Sequence, residues 1–168
     1  MTLLLLNPCK VEHLQKPSPK YELLIISISS PLLVGLYEDG TLIDSTSSAL
    51  KTSEILLPLI SEYMQKYDIS AIIYTRGPGS YMAIKLTYIM LKTIEILRGI
   101  PCVGCSGFAL NGGGPIKAIG NLYFIKEKET IMTKKYEQPV NVTFSLPQRI
   151  QDLVLDEEST PEYMLPAV

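Results

Sequence analysis

Apolar residues recur along this chain with two different periods, and the change of period marks out its elements. Residues 23–28 and 32–37 are nearly continuous apolar runs, separated by Ser29-Ser30-Pro31. Runs of that length and β-rich composition predict buried strands. Glu38-Asp39-Gly40-Thr41 carries an Asp-Gly hairpin signal, and residues 42–47 return as a third strand. The period then lengthens. Ile55, Leu56, Leu59, Ile60, Tyr63 and Met64 recur at helical spacing, with Thr52 or Ser53 as the cap. Pro58 falls inside that pattern, where it either kinks the helix or sits near its first turn.

Residues 71–75 are again apolar and predict a short buried strand, followed at once by Arg76-Gly77-Pro78-Gly79-Ser80. Pro78 fixes φ near −65° and removes a donor, while Gly77 and Gly79 open backbone angles closed to other residues. Ser80 stands where an N-cap belongs. Strand, glycine corner and helix start together make a phosphate-binding device; equally, they make a tight corner whose glycines serve only close packing.

The helix predicted over 81–97 is apolar almost all round. Lys85, Tyr88, Lys92 and Glu95 draw one polar strip at i, i+3, i+7 and i+10. Met82, Ile84, Leu86, Ile89, Met90, Leu91, Ile94, Ile96 and Leu97 occupy the rest. A surface helix needs an apolar arc of only about 100° or slightly more. The excess points to packing against the chain's own sheet and a partner as well; the alternative is a helix enclosed within one core. Arg98-Gly99-Ile100-Pro101 stops the helix, a strand runs to Cys105, and Ser106 caps a short helix through Leu110. The order to this point is βββαβαβα.

Asn111-Gly112-Gly113-Gly114-Pro115 is the clear soft joint, and no strand–helix frame surrounds it to make it a phosphate loop. Beyond it the pattern predicts a hairpin from 116–125 and 128–134, a strand over 140–144, a short helix over 146–153 and an acidic tail from 156. Residues 1–20, with Pro8, Pro17 and Pro19, form a leader. The chain divides into that leader, a first lobe over 21–110 and a smaller second lobe with its tail over 111–168.

Composition narrows the chemistry. The 168 residues suffice for one domain or two small lobes, and a net charge of −2 gives no electrostatic footprint for nucleic acid. Cys102 and Cys105 form a C-x-x-C, but they lie in an apolar run that reads as a strand. They are therefore expected to be small buried side chains rather than a metal or redox pair. Cys9 and the single His13 fall in the leader. Acidic residues between 21 and 75 sit mostly in turns or on helix surfaces, leaving little for a hydrolytic engine. Residues 1–6 lack a basic n-region and no apolar run approaches a membrane span, so a cytoplasmic protein is expected.

Arg76-Gly77-Pro78-Gly79-Ser80-Tyr81 resembles the Gly-Arg-Gly-Pro-Gly-Ser-Phe-Thr-Gly signature of the bacterial TsaB (YeaZ) family. Residues 55–60 resemble that family's first helix, and Glu38-Asp39-Gly40 its first hairpin. Gly99-Ile100-Pro101-Cys102-Val103-Gly104-Cys105-Ser106 resembles its Gly-Ile-Pro-Leu-Val-Gly-Val-Ser, and Pro161-Glu162-Tyr163-Met164 its Pro-x-Tyr-Leu. The likeness is good from 21 to about 110 and patchy afterwards. It implies an α/β fold of actin-like ATPase lobes (sugar-kinase, heat-shock-chaperone and ribonuclease H-like type), the second lobe shortened.

The resemblance also implies a scaffold without catalysis or a cofactor of its own. It would bind the catalytic subunit TsaD, with the ATPase TsaE, in the complex that attaches a threonylcarbamoyl group to the adenosine beside the tRNA anticodon. ATP or ADP and magnesium belong to that complex, and tRNA is met only through it. Contact with TsaD, or a competing homodimer, would use the first-lobe helices: Ile55, Leu56, Leu59, Ile60, Tyr63, Tyr81, Ile84, Lys85, Tyr88 and Leu91. Ile84→Asp or Leu91→Asp is then expected to harm partner binding more than folding. The family's strand-end Ile-Asp-Thr is here Ile26-Ser27-Ile28-Ser29, its histidine before the first helix falls near Lys51, and the Thr-Gly of its signature is Met82-Ala83. Those departures speak against a working nucleotide site. Two rivals remain: a nucleotide-dependent enzyme or peptidase of the same superfamily, and a stand-alone homodimeric interaction protein.

Overall fold

The computed structural model describes residues 16–164. Cys9 and His13 lie outside that range, as do the first fifteen residues of the expected leader.

Five strands form the main sheet: β1 (Tyr21–Ile26), β2 (Leu32–Glu38), β3 (Thr41–Ser48), β4 (Ile69–Gly77) and β5 (Cys102–Ser106), in the spatial order β3-β2-β1-β4-β5. β2 is antiparallel to both neighbours, while β1, β4 and β5 run parallel. The central position of β1 explains its unbroken apolar run. Leu23, Leu24, Ile25 and Ile26 are all fully buried, because a strand covered on both faces has no side for water. β3 lies at an edge and keeps its Thr, Asp and Ser side chains.

Helices α1 (Thr52–Lys66) and α2 (Tyr81–Arg98) both lie on one face of the sheet. Lys51 holds the cap position of α1 with no side-chain cap bond, so the helix begins one residue before the hydroxyls expected to cap it. α2 starts as expected, with Ser80 Oγ accepting from the Ala83 amide at 3.4 Å. It stops at Gly99, whose left-handed φ of 68° favours glycine and whose amide donates to the Glu95 carbonyl. Between sheet and helices lies the larger core: Leu23, Ile25, Val34 and Tyr74 from the strands, Leu56, Ile60, Leu91 and Ile94 from the helices.

The opposite face presents Leu24, Ile26, Tyr37, Ile73 and Cys105, and no α-helix among the described residues covers it. Leu110, Phe144, Leu146, Ile150 and Leu153 close it from irregular chain. Here the sequence expectations need correction. The short helix expected after Ser106 is a 3₁₀ turn, Gly107–Leu110, and the helix expected over 146–153 is only the 3₁₀ turn Ile150–Asp152. The strand expected over 140–144 does not form. These segments bond to the rest of the chain instead of to themselves: Tyr37 Oη donates to the Pro147 carbonyl, the Leu42 amide to Gln148 and the Ile150 amide to Gly40. Backbone groups satisfied in this way need no helix.

Past the glycine joint a second, three-stranded sheet forms from β6 (Ile116–Lys117), β7 (Leu122–Glu127) and β8 (Thr130–Lys135). The β7–β8 hairpin matches the expected pair, shifted by a few residues. Phe124 and Ile116 pack with Phe108 to join this sheet to the main body.

Candidate functional site

The carboxyl end of β4, the corner after it and the two helices carry most of the residues singled out above. Gly77 adopts φ 135°, a backbone angle that side chains rarely tolerate, and a Cβ there would stand 2.5 Å from the Glu162 carbonyl oxygen. A Cβ at Gly79 would stand 2.7 Å from Ile28 Cγ2. Both glycines of the corner therefore have a packing reason.

The outside of the corner is taken by the chain's own C-terminal segment. Arg76 reaches it with three ion pairs: Asp156 at 3.1 Å, Glu158 at 3.3 Å and Glu162 at 3.8 Å. Arg76 Nε also donates to the Thr160 carbonyl at 2.7 Å. Tyr163 lies against Tyr81 with ring centroids 4.7 Å apart. Sequence reasoning gave Arg76 no partner, because its acids stand about eighty residues away.

The helices present three distinct faces. Toward the sheet, α2 buries Ile84, Thr87, Leu91 and Ile94, and α1 buries Leu56, Leu59, Ile60 and Tyr63. Six of the ten expected contact residues (Leu56, Leu59, Ile60, Tyr63, Ile84 and Leu91) thus lie in the chain's own core, with Ile55 packed at its margin. A carboxylate at Ile84 or Leu91 would unfold the chain before it could report on a partner. Along a second flank, Tyr81 faces Tyr163 while Lys85 is exposed above the Tyr81 ring. Tyr88 on the same flank packs against the core, its ring 6.5 Å from that of Tyr74.

The third face is the one left open. Met82 is 59%, Ile89 51% and Ile96 81% exposed, at a stride of seven that keeps them on one line of the helix. Leu97 at 75% and Leu57 of α1 at 48% flank that line. Leu57 and Leu97 also line, with Ser61, Met64 and Ile94, a groove of about 290 Å³ between the two helices. The expected excess of apolar surface on this helix therefore exists, but on residues other than those first named for the contact. The stride of seven was the signal available: Met82-Ile89-Ile96 and Ile84-Leu91 are separate lines of one helix, and only one of them can face the sheet.

Among the described residues no group of three or more His, Cys, Asp or Glu side chains is placed so that it could hold a metal ion. Cys102 and Cys105 are free, buried thiols. Because strand side chains alternate, Cys102 joins the helix-side core and Cys105 the opposite one, so they do not form a pair. Burial pushes the Cys102 thiol up to about 11 and the Cys105 thiol up to about 12, which keeps both protonated and unreactive near neutrality. No helix among the described residues is long and apolar enough to cross a membrane.

No family model matches the chain, and no curated protein sequence does. Solved structures do. YeaZ from Pseudomonas aeruginosa superposes with a TM-score of 0.54 at 14% sequence identity, over 70% of this chain and 65% of that one. A second structure, described as an uncharacterized protein with similarity to peptidase YeaZ from Pseudomonas aeruginosa, gives a TM-score of 0.54 at 14% identity over 70% and 64%. The match spans less than two thirds of each of those chains. The five-stranded mixed sheet with two helices on one face is a YeaZ-like fold.

Proposed function

We propose that this chain is a TsaB-like scaffold subunit, cytoplasmic and without catalysis of its own, that docks a TsaD-like catalytic subunit. In that reading it serves, with a TsaE-like ATPase, the transfer of a threonylcarbamoyl group to the adenosine beside the tRNA anticodon. ATP or ADP with magnesium, and the tRNA, are handled by the assembled complex. The main sheet is then one actin-like lobe of ribonuclease H-like strand order, and the β6–β8 sheet a reduced second lobe. The residue likeness around Arg76–Ser80 and the YeaZ-like fold support this reading.

The single observation that carries it is the exposed line Met82-Ile89-Ile96 with Leu57 and Leu97 beside it. Burying each large apolar side chain contributes roughly 1.5–3 kcal/mol, so the line suffices to hold a helical partner face. The contact is thereby assigned to these residues in place of the buried ones.

Co-expression with the TsaD-like protein of the same cell tests the proposal. A mixed complex on size exclusion, lost with Ile89→Asp or Ile96→Asp while the variant keeps the parental circular dichroism, is the expected result. A homodimer that ignores the TsaD-like protein would make the chain a stand-alone interaction protein. Saturable binding of ATP and magnesium by the isolated chain would favour the enzyme reading.

A further inference from the structure

Residues 156–163 touch the body of the protein as a bound peptide touches its receptor. The Asp156 amide donates to the Gly104 carbonyl of β5 at 2.9 Å, and the Glu162 amide to the Arg76 carbonyl at 2.8 Å. Tyr74 Oη donates to the Ser159 carbonyl, and Arg76 Nε to that of Thr160. Three of the segment's four carboxylates, those of Asp156, Glu158 and Glu162, converge on Arg76, whose side chain is only 13% exposed. Tyr163 completes the set on the ring of Tyr81.

The receptor side is shaped to an incoming backbone. A Cβ at Gly77 would meet the Glu162 carbonyl oxygen at 2.5 Å, and one at Gly104 would meet the Glu158 carbonyl oxygen at 2.9 Å. Two glycines on different strands thus clear room for one extended segment. The segment itself has no apolar anchor: from Val154 to Met164 no residue is buried. Backbone hydrogen bonds, ion pairs and one ring contact hold it, and none of these needs the segment to belong to the same chain. Pairing an extended peptide with a strand edge, with specificity from alternate side chains, is a general mode of peptide recognition.

We propose that the groove between the β5 edge and the head of α2 is a binding site for an extended acidic peptide of a partner protein, read by Arg76 and Tyr81, which the chain's own segment 156–163 fills until it is displaced. The ligand carries carboxylates spaced as Asp156, Glu158 and Glu162, followed by an aromatic residue. This site is separate from the Met82-Ile89-Ile96 line, and its existence does not depend on a TsaD-like partner. Because the resident segment is tethered, it competes at an effective concentration near millimolar, so a free peptide enters well only when the segment is weakened.

The test uses the full chain carrying Asp156→Asn, Glu158→Gln and Glu162→Gln, replacements of equal shape at residues outside the core, Glu158 exposed and the other two partly exposed. A fluorescent synthetic peptide of residues 154–164 is titrated against it and against the unmodified chain by anisotropy. The neutralised chain should bind the peptide at least about tenfold more tightly than the unmodified chain does. A peptide with the same three neutral replacements should not bind. By hydrogen exchange, the backbone amides of positions 156 and 162 should lose protection in the neutralised chain and regain none without peptide. Retained protection there would show a fixed segment and overturn the proposal. Lost protection without peptide binding, or equal binding of acidic and neutral peptides, would overturn it as well. A dimer of the unmodified chain that vanishes on neutralisation would assign the groove to a second copy's tail and overturn the partner reading.

Discussion

The two faces of the five-stranded sheet are covered by different means. On one, α1 and α2 bring Leu56, Ile60, Leu91 and Ile94 down together onto Leu23, Ile25 and Tyr74. On the other, single side chains (Leu110, Phe144, Leu146 and Leu153) drop from irregular chain onto Leu24, Ile26 and Tyr37. A helix satisfies its own backbone and places several apolar residues at once. A loop must borrow hydrogen bonds, as 145–150 does from Leu110, Leu42, Gly40 and Tyr37. Regular cover is cooperative; irregular cover is assembled piece by piece.

The largest test of that contrast compares lines within α2 itself. Leu91→Asp places a carboxylate in a fully buried site and should unfold the chain, a loss above roughly 4–5 kcal/mol. Ile89→Asp, two residues away on the open line, should change the unfolding free energy from urea titration by no more than about 0.5 kcal/mol. Equal damage from both would make the open line part of a core. Across the two faces, Leu56→Ala under the helices should cost about 4 kcal/mol. Leu153→Ala should cost about 2 kcal/mol, because an irregular cover collapses onto the gap more readily. Matched losses in chemical denaturation would erase the distinction. Tyr37→Phe removes the hydroxyl that holds Pro147 and should cost about 1 kcal/mol, with faster exchange of the Leu42 and Ile150 amides as its local sign.

A further test of the two faces is set by pH. Burial raises Cys102 to about 11 and Cys105 to about 12, so the folded state disfavours both thiolates. An acid whose folded value is raised lends stability that is complete below its unfolded value, near 9.0 here, and is lost as pH climbs toward the folded one. Stability should therefore fall from about pH 9 upward. Cys105→Ala should flatten that alkaline slope more than Cys102→Ala, read from urea midpoints at stepped pH. A larger flattening from Cys102→Ala would mean the helix face shields its thiol better.

Much of the helix-bearing face was legible because periodicity is a local property. The strands, Ser80 as cap, Gly99 as stop and the apolar excess on α2 each follow from neighbours within a few residues. Which apolar line of α2 faces the sheet was not legible from counting alone, since Ile84 and Ile89 are chemically alike and differ only in direction. The far face was hidden for a stronger reason. Phe144 and Leu146 look like strand or helix fragments in sequence, but their structure is dictated by Leu110 and by strands β2 and β3. The β4–α2 corner was half legible. Its glycines announced a turn, but the segment that Gly77 and Gly104 accommodate is far along the chain.

The Asp156–Gly104 bond also bears on how the protein keeps company with itself. A five-stranded sheet has two rims, and an unguarded rim is a template for runaway pairing between molecules. The β3 rim is dressed with Thr, Asp and Ser. The β5 rim, Cys-Val-Gly-Cys-Ser, has no charge to repel a visitor and is screened at Gly104 by the tail. Proteolytic clipping after Leu155 would strip that screen, and the shortened protein should then turn from clear solution to thioflavin-positive aggregate on standing. The acidic tail is in this sense a solubility device, and its loss would show first in the storage tube.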